Sequence, residues 1–442
     1  MFFSNWWPFR KKQKKLKVDD GFSALHSVYT PVNQLVIGMY VAELDRPWLE
    51  TNFKFQGFEI KTTADLEAIK DQCEHVYIDL TKTKRRVQKR VRKRPENIPS
   101  LADYPSPPKK LSVFEEEIRR SEQVYRDTGR LVSDFMERIA RGEGIDTELA
   151  KQAVAECVNS ILHSPDAILW LSQLKNKDEY TAQHSLNVCV LSIVLGRHIG
   201  LSVTNLNNVG LCGMMHDMGK MLIPLAILNK PGKLDSDEMV VMQSHTTLGH
   251  ELLKSSHGMY PGAIETSLSH HERLDGQGYP RQLPSQKISH FTRIVTIADL
   301  YDAMTSDRVY QKGRTHLEAT KTLTELSGRH LDQPLVIKFI ESIGVYPPGV
   351  FVELTNGAIA LVVEVHETIK LRPKVLLILD EDKNPIPAKV LDLSLMPKDS
   401  LEHVYTIRRI VRAEDYQIDA SKYYQEGVLQ KGFALSGKPS KS

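Results

Sequence analysis

The chain is organised around residues 270–280, which read His270-His271-Glu272-Arg273-Leu274-Asp275-Gly276-Gln277-Gly278-Tyr279-Pro280. The glycines and the proline in the second half cannot continue a helix, so we expect the two histidines at the end of one, at the rim of a helical body. Adjacent imidazoles beside a carboxylate are candidate metal ligands, but the stretch alone is equally compatible with a simple loop. Its interpretation depends on whether further ligands occur elsewhere in the chain.

The sequence around this stretch predicts a helical domain from residue 151 to residue 345. Apolar residues recur there at helical spacing, without a convincing alternating strand. Twelve of the sixteen histidines lie between His163 and His330, about twice the number that even spacing would give. A metal-binding domain would produce such an excess.

His216 and Asp217 follow the apolar run Val209–Met215, so we expect them at the end of a buried helix. Neighbouring residues on a helix point about 100° apart, so the imidazole could serve one metal while the carboxylate reaches between two. Mixed imidazole and carboxylate ligands suit Fe, Mn, Zn or Ni. The alternative interpretation of the pair is a capped helix end.

Three further residues are candidate ligands on other predicted helices. His184 begins an apolar helix that runs to about Ile199, and His245 lies in a second helix. Both are also compatible with hydrogen-bonded core histidines. Asp299 lies within an apolar stretch, where an unpaired carboxylate would cost several kcal/mol to bury, so it favours a metal or a buried cation.

Taken together, these residues resemble the bacterial HD-GYP family, a subgroup of the HD phosphohydrolases. The resemblance covers roughly residues 155–345 and rests on His184, His216-Asp217, Lys220, His245, His270-His271, Gly278-Tyr279-Pro280 and Asp299, in this order. The segment Val32–Leu80 also resembles the small domain of unknown function that often precedes HD-GYP domains.

The resemblance implies metal-dependent hydrolysis of cyclic di-GMP to pGpG, and onward to GMP, in bacterial second-messenger signalling. It implies two divalent ions, with Fe or Mn favoured and Ni or Zn also compatible. One ion would be held by His184, His216, Asp217 and Asp299, and the second by Asp217, His245, His270 and His271. Two such ions lower the pKa of a shared water, so that hydroxide is available at neutral pH.

Three basic residues are candidate substrate-binding residues. Lys220 lies one helical turn from His216, where it could contact a phosphate oxygen and assist Asp217 in catalysis. Arg308 and Lys312 are candidates for the second phosphate or a guanine edge.

Some members of the family hold a third metal through a glutamate one turn before the first histidine. Tyr180 occupies that position here and Glu179 is one residue away, so we expect only two metals.

Alternative functions and partners follow from the same resemblance. A broader HD nucleotide phosphohydrolase and a non-catalytic cyclic di-GMP receptor are the competing functions, and the complete ligand set argues against the receptor. The Gly278-Tyr279-Pro280 turn could also form a surface for diguanylate cyclase domains. A long amphipathic helix, which follows a capping box at Ser112–Glu115 and ends before Gly142, could pair with its copy in a homodimer.

The predicted fold class is mainly α, an HD-type helical bundle with a small N-terminal α+β domain and a small C-terminal β unit. The predicted domains are a disordered tail (1–30), the α+β domain (31–81), a basic proline-rich linker (82–111), linker helices (112–150), the catalytic domain (151–345), the β unit (346–415) and a second tail (416–442). Short strands and the hairpin turn Asn356-Gly357 predict the β unit.

Composition places the chain among ordinary globular proteins, with 41% hydrophobic and 26% charged residues. The net charge of +3 excludes nucleic-acid binding by the electrostatics of the whole molecule.

The longest apolar run, Val188–Leu195, is far shorter than the roughly 20 residues of a membrane span. Trp6 and Trp7 before a basic run could make weak contact with a membrane surface. Four cysteines without C-x-x-C spacing are interpreted as reduced core thiols of a cytoplasmic protein.

Overall fold

The structure is a computed structural model of the chain. It describes residues 27–32, 35–44, 51, 53, 57–73, 75–79, 114–173, 180–306, 313–366, 369–399 and 402–418. The chain divides into two compact units, of which the smaller contains the N-terminal sheet and the larger contains the helices and the C-terminal sheet. The predicted fold class is confirmed: the molecule is mainly helical, with a small sheet before and another after the helices.

The N-terminal unit is a four-stranded sheet with one helix. The strands are β1 (Ser27–Pro31), β2 (Tyr40–Leu44), β3 (Phe58–Glu59) and β4 (His75–Asp79), in the order β1-β4-β2-β3. Helix α1 (Thr63–Gln72) begins with a capping box, in which the Thr62 hydroxyl accepts from the Asp65 amide and the Asp65 carboxylate accepts from the Thr62 amide. Strand β1 was not predicted and lies within the segment assigned to the disordered tail. Its pairing partner β4 lies more than forty residues away, beyond the reach of local pattern.

Within its described residues, the larger unit contains twelve helices before the C-terminal sheet. Their bounds are α2 Phe114–Ala140, α3 Thr147–His163, α4 Pro165–Ser172, α5 Tyr180–His198, α6 Val203–Met215, α7 Leu225–Leu228, α8 Ser236–Gln243, α9 His245–Ser255, α10 Pro261–Ser269, α11 His290–Thr305, α12 His316–Leu326 and α13 Gln333–Ile343. Asp146 caps α3 through the Leu149 amide, as its position predicted. The predicted boundary at 150/151 falls inside α3, and the division into domains stays a prediction. The capping box predicted at Ser112 lies outside the described residues.

Helix α5 is the centre of the helical body. It packs against α2, α3, α6, α11 and α13, and its residues from 182 onward are buried almost without exception. A helix covered on all sides needs apolar residues all round rather than on one stripe, which explains the long apolar run in its sequence. Its first turn carries His184, so this candidate ligand is held by the most enclosed element of the protein.

The C-terminal sheet is antiparallel and contains β5 (Phe351–Leu354), β6 (Ile359–Glu364), β7 (Lys374–Leu379), β8 (Pro385–Asp392) and β9 (Ile407–Val411), in the order β8-β7-β6-β5-β9. The predicted hairpin at Asn356-Gly357 joins β5 to β6, with Gly357 at a φ of 95°. Strand β9 was not predicted. One face of the sheet shares an apolar core with Phe114 and Ile118 of α2 and with Trp170 of α4. Among the described residues, no helix combines the length and the apolar character that crossing a membrane requires.

Candidate metal centre

Several of the candidate ligands lie at helix ends that converge on one point, whereas His184 and Asp299 lie within α5 and α11. His216 follows the last residue of α6, and Asp217 precedes a short 3-10 turn, Met218–Leu222. His245 is the first residue of α9, and His270 follows the last residue of α10. The predicted helix end at His270 is correct, but its predicted place at the rim is wrong: the imidazole is fully buried, because α6, α9 and α11 surround the end of α10.

Gly219 allows these helix ends to meet. A Cβ added at this position would lie 2.0 Å from the carbonyl oxygen of His245 and 2.4 Å from the amide nitrogen of Gly249. These are backbone atoms, which cannot rotate away, so only glycine fits between the 3-10 turn and α9. The close approach brings Asp217 and His245 to a distance of 3.3 Å between Oδ1 and Nε2.

Asp217 lies between two groups of imidazoles. Its Oδ2 is 3.3 Å from Nε2 of His216 and 3.6 Å from Nε2 of His184. Its Oδ1 is 3.3 Å from Nε2 of His245 and 3.5 Å from Nε2 of His270. The ligand atoms of His184, His216 and Asp217 form one compact group, and those of Asp217, His245, His270 and His271 form another. Asp217 is the only residue common to both groups.

Asp299 approaches the first group from α11. Its Oδ1 lies 3.1 Å from Nε2 of His184 and 3.8 Å from Nε2 of His216. The side chain is 15% exposed, which makes it the most accessible of these acidic groups. The apolar stretch around Asp299 is therefore accounted for by its position on a helix that packs deeply against α5.

Backbone carbonyls fix the orientation of three imidazoles. Nδ1 of His216, His245 and His270 lies 2.7 Å from Gly213 O, 2.7 Å from Met242 O and 3.0 Å from Ser267 O, respectively. Because a carbonyl only accepts, each Nδ1 carries the proton and each Nε2 presents a lone pair to the centre. Such outer contacts are typical of histidines that bind metal ions.

Two residues that sequence reasoning missed hold His184. Its Nδ1 donates to Oδ2 of Asp302 at 2.7 Å, and Oδ1 of Asp302 accepts from Nδ2 of Asn187 at 2.9 Å. Asp302 lies three residues after Asp299, and Asn187 lies three after His184. That spacing places each on the same helix face as its candidate ligand, which is the signal that could have identified them.

Several ionisable groups of the centre have shifted pKa values. Burial raises the pKa of Asp217, but Lys220 and His216 outweigh burial and hold it well below the ordinary value. Burial lowers the pKa of His245 to about 3 and that of His271 well below its ordinary value, so both imidazoles are neutral. Burial also opposes charge on His184, but Asp299 and Asp302 prevail and raise its pKa to about 9.

The residues fit divalent metal ions. Buried polar atoms are normally hydrogen-bonded, yet Nε2 of His216 and Oδ1 of Asp217 make no hydrogen bond to any described residue. Both atoms point into the centre, where lone pairs from several imidazoles and a carboxylate converge. A cation is the partner that this donor set requires.

The Gly278-Tyr279-Pro280 turn supports His271 from one side. The ring of Tyr279 stacks on the imidazole, with 4.7 Å between centroids and 27° between planes. Buried Glu272 accepts from the Arg281 amide at 2.7 Å and from the Leu283 amide at 2.9 Å, which closes the loop. A Cβ on Gly278 would lie 2.4 Å from the Arg273 amide nitrogen, so the glycine permits the chain to fold back on itself.

The remaining predicted site residues are only partly visible. The Lys220 ammonium contacts Oδ2 of Asp217 and is 18% exposed, so it lies at the mouth of the centre. Arg308, Lys312 and Glu179 lie outside the described residues, and the described part of Tyr180 is its backbone in α5. The expectation of two rather than three metals stays a prediction.

Three protein families match successive parts of the chain. A domain of unknown function, DUF3391, matches residues 28–150, the HD domain matches residues 170–335, and a KOW domain associated with the HD domain matches residues 351–416. The order agrees with the N-terminal unit, the helical body and the C-terminal sheet described above.

Relatives resemble either most of the chain or about a third of it. A cyclic di-GMP phosphodiesterase of Pseudomonas aeruginosa is 36% identical over 367 residues, which is 82% of this chain and 88% of the relative. A cyclic di-GMP phosphodiesterase response regulator of Xanthomonas campestris is 40% identical over 141 residues, 31% of this chain and 37% of the relative. A 3'3'-cGAMP-specific phosphodiesterase of Vibrio cholerae is 39% identical over 145 residues, 33% of each chain.

Proposed function

The chain belongs to the HD-GYP family of cyclic di-GMP phosphodiesterases, and we propose that it hydrolyses cyclic di-GMP to pGpG, and onward to GMP, with two divalent metal ions. The observation that carries the proposal is the position of Asp217, whose two oxygens face separate groups of imidazoles. A carboxylate in that position is suited to bridge two cations.

The ligands in this proposal divide at Asp217. His184, His216 and Asp299 complete one site with Asp217, and His245, His270 and His271 complete the other. When bound, two divalent ions activate water at neutral pH and offset the charge that develops on the phosphoryl oxygens. Fe or Mn is the favoured metal, with Ni or Zn also compatible, since imidazole and carboxylate suit these ions.

The protein itself supplies orientation and a substrate contact. The carbonyls of Gly213, Met242 and Ser267 hold the imidazoles, so they need no rearrangement when a metal binds. The Lys220 side chain is 18% exposed, and its positively charged ammonium contacts Oδ2 of Asp217. On binding of the dinucleotide, its ammonium exchanges the Asp217 carboxylate for a phosphate oxygen, and Arg308 and Lys312 contact the second phosphate or a guanine.

A second candidate substrate is 3'3'-cGAMP, which differs from cyclic di-GMP in one base. The relative of Vibrio cholerae with that specificity is 39% identical over 145 residues, close to the identity of the cyclic di-GMP enzymes. Comparing kcat/KM for both dinucleotides on the same metal-loaded protein separates the two. A receptor without catalysis would instead bind either ligand and leave it intact.

Partner and location proposals follow from the surface. On the Gly-Tyr-Pro turn, Gln277, Pro280 and Arg281 are exposed while Tyr279 packs inward, so a diguanylate cyclase domain would contact the three exposed residues.

Pairing of α2 in a homodimer and membrane contact of the N-terminal tail remain proposals, and the tail lies outside the described residues. All four cysteines are buried and outside disulfide bonds, which supports a cytoplasmic location.

The experiment that tests the function compares Asp217→Asn with the wild type. The protein is purified anaerobically, its metal content is measured, and turnover of cyclic di-GMP is followed. We expect about two metal equivalents in the wild type and at least about a hundredfold loss of kcat in the variant, since the bridging charge is gone.

Asp166→Asn is the matched control. Asp166 is a buried carboxylate away from the centre, and its Oδ2 accepts from the Val365 amide, a contact that asparagine can keep. It should retain metal and activity. Unchanged turnover in Asp217→Asn, or binding of the dinucleotide without turnover by the metal-loaded wild type, would contradict the proposed function.

A further inference from the structure

A chain of hydrogen bonds connects the long helix α2 to the candidate ligand His184. The Tyr125 hydroxyl lies 2.6 Å from Oδ1 of Asn187, whose Nδ2 lies 2.9 Å from Oδ1 of Asp302. Oδ2 of Asp302 lies 2.7 Å from Nδ1 of His184. Tyr125 is thus three contacts from Nε2 of His184, the atom that faces the centre.

The chemistry of the groups fixes the direction of every bond in this chain. The ionised Asp302 carboxylate only accepts, so Asn187 must present its NH2 to Asp302 and its carbonyl oxygen to Tyr125. That oxygen also only accepts, and Tyr125 must donate. His184 then donates from Nδ1, which leaves Nε2 as the nitrogen that can release its proton and bind a metal.

The tyrosine is well placed to keep this direction. Burial raises the pKa of Tyr125 above its ordinary value, so the hydroxyl stays protonated and remains a donor. Its ring packs against the apolar core that α2 and α4 share with the C-terminal sheet. The position of the hydroxyl therefore depends on how α2 is seated against this core and against α5.

We propose that Tyr125 is a positioning residue for the first metal site: its hydroxyl holds Asn187, and through Asp302 it holds His184 in the orientation that binds metal. The consequence is that the seating of α2 on the helical body sets metal affinity. This inference rests on the proposed function only in that His184 is taken as a metal ligand. It does not depend on the identity of the substrate.

The test uses Tyr125→Phe, which removes the hydroxyl and keeps the ring in the apolar core. Metal-free full-length protein is titrated with Mn²⁺ alone in competition with a chelator. Residues that contact a histidine ligand directly change metal affinity by about 10- to 100-fold, so we expect a smaller loss, about 3- to 10-fold at one of two sites, for this more remote contact.

Ser121→Ala is the matched control. Ser121 lies one turn earlier on α2, and its hydroxyl makes a buried hydrogen bond of 2.7 Å with Ser160 of α3. The substitution removes a comparable contact of the same helix without touching Asn187. It should leave Mn²⁺ affinity unchanged, although both variants lower the melting temperature by a few degrees.

A double-substitution cycle separates positioning from general stability. In an Asn187→Ala background the chain is already broken, so Tyr125→Phe should cause no further loss of Mn²⁺ affinity, whereas a stability effect would persist. Wild-type affinity in Tyr125→Phe, equal losses in Ser121→Ala, or additive losses in the double variant would overturn the proposal.

The outcomes also distinguish this proposal from the proposed function. If the wild type binds Mn²⁺ but does not hydrolyse cyclic di-GMP, the proposed substrate is wrong, and the loss in Tyr125→Phe still supports positioning. If the wild type hydrolyses the dinucleotide and Tyr125→Phe matches it in Mn²⁺ affinity, only the positioning role is wrong. A wild type that binds no divalent metal overturns both.

Discussion

At the scale of single residues, the centre is defined by which nitrogen of each imidazole is already engaged. His216, His245 and His270 each donate Nδ1–H to a carbonyl at the end of their own or the preceding helix, and His184 donates to Asp302. These contacts turn every Nε2 inward. The arrangement is prepared by the fold and does not have to be induced by a metal.

The raised pKa of His184 predicts that metal binding depends on pH. In the metal-free protein the imidazole is protonated below about pH 9, because Asp299 and Asp302 favour the cation. A metal ion must displace that proton, so affinity should rise with pH between 7 and 9, by up to about tenfold per pH unit. Mn²⁺ titrations at several pH values would measure the slope.

His184→Gln provides the control for this prediction. Glutamine cannot be protonated in this range, so the variant should bind the first ion more weakly and with a flat dependence above pH 7. His245 and His271 have lowered pKa values and are neutral throughout. A wild-type affinity that does not change between pH 7 and 9 would show that no proton leaves His184.

At the scale of elements, His216 and the second group of candidate ligands are assembled from helix ends, whereas His184 and Asp299 come from the faces of α5 and α11. The end of α6, the start of α9 and the end of α10 each contribute an imidazole, and the 3-10 turn at Met218–Leu222 fits between them. The contact is between backbones, since Gly219 lies against the carbonyl of His245. The spacing of the second metal site is therefore set by how closely the turn approaches α9.

Gly219→Ala should disrupt the second site. The added methyl would lie 2.0 Å from the His245 carbonyl oxygen, so the turn and α9 must separate. Overpacking of this kind costs about 1 to 3 kcal/mol of stability and should reduce the metal content, since Asp217 and His245 move apart. Thermal unfolding and metal analysis would measure both effects.

Gly144→Ala is the corresponding control, since a Cβ at that position has no neighbour within 4 Å and the backbone has an ordinary φ. It should leave stability and metal content almost unchanged. If Gly219→Ala retained both metals and wild-type stability, the close approach of the turn to α9 would not determine the site.

At the scale of the whole molecule, the C-terminal sheet is a structural part of the larger unit. Phe351, Leu361 and Ile378 share one buried cluster with Phe114 of α2 and Trp170 of α4. The other face of the sheet has its own cluster, which includes Val362 and Leu377. Because α2 also carries Tyr125, the sheet supports the helix from which the hydrogen-bond chain to His184 starts.

Two leucines of the sheet test this support. Leu361→Ala and Leu377→Ala should each cost about 2 to 5 kcal/mol, since both side chains are buried. Only Leu361 lies in the cluster with α2 and α4, so only its loss should accelerate hydrogen exchange of amides in those helices. Equal acceleration in both variants would indicate that the sheet is not coupled to the helices through this face.

Local patterns along the sequence predicted the helical body, the hairpin at Asn356-Gly357 and the candidate ligands His184, His216, Asp217, His245, His270, His271 and Asp299. These follow from local periodicity, turn chemistry and a motif read along the chain. The match of residues 170–335 to the HD domain agrees with that reading. Local patterns do not predict burial. The sequence places His270 at the rim of the helical body, whereas its side chain is fully buried.

The pairings between distant parts of the chain are visible only in the tertiary structure. Strand β1 pairs with β4, β9 pairs with β5, and Asp302 reaches His184 across 118 positions. Tyr125 is hydrogen-bonded to Asn187, which lies 62 positions away, although neither residue belongs to a sequence motif. The physical reason is that a hydrogen bond or a shared core depends on distance in space, whereas periodicity and capping depend on neighbours in sequence.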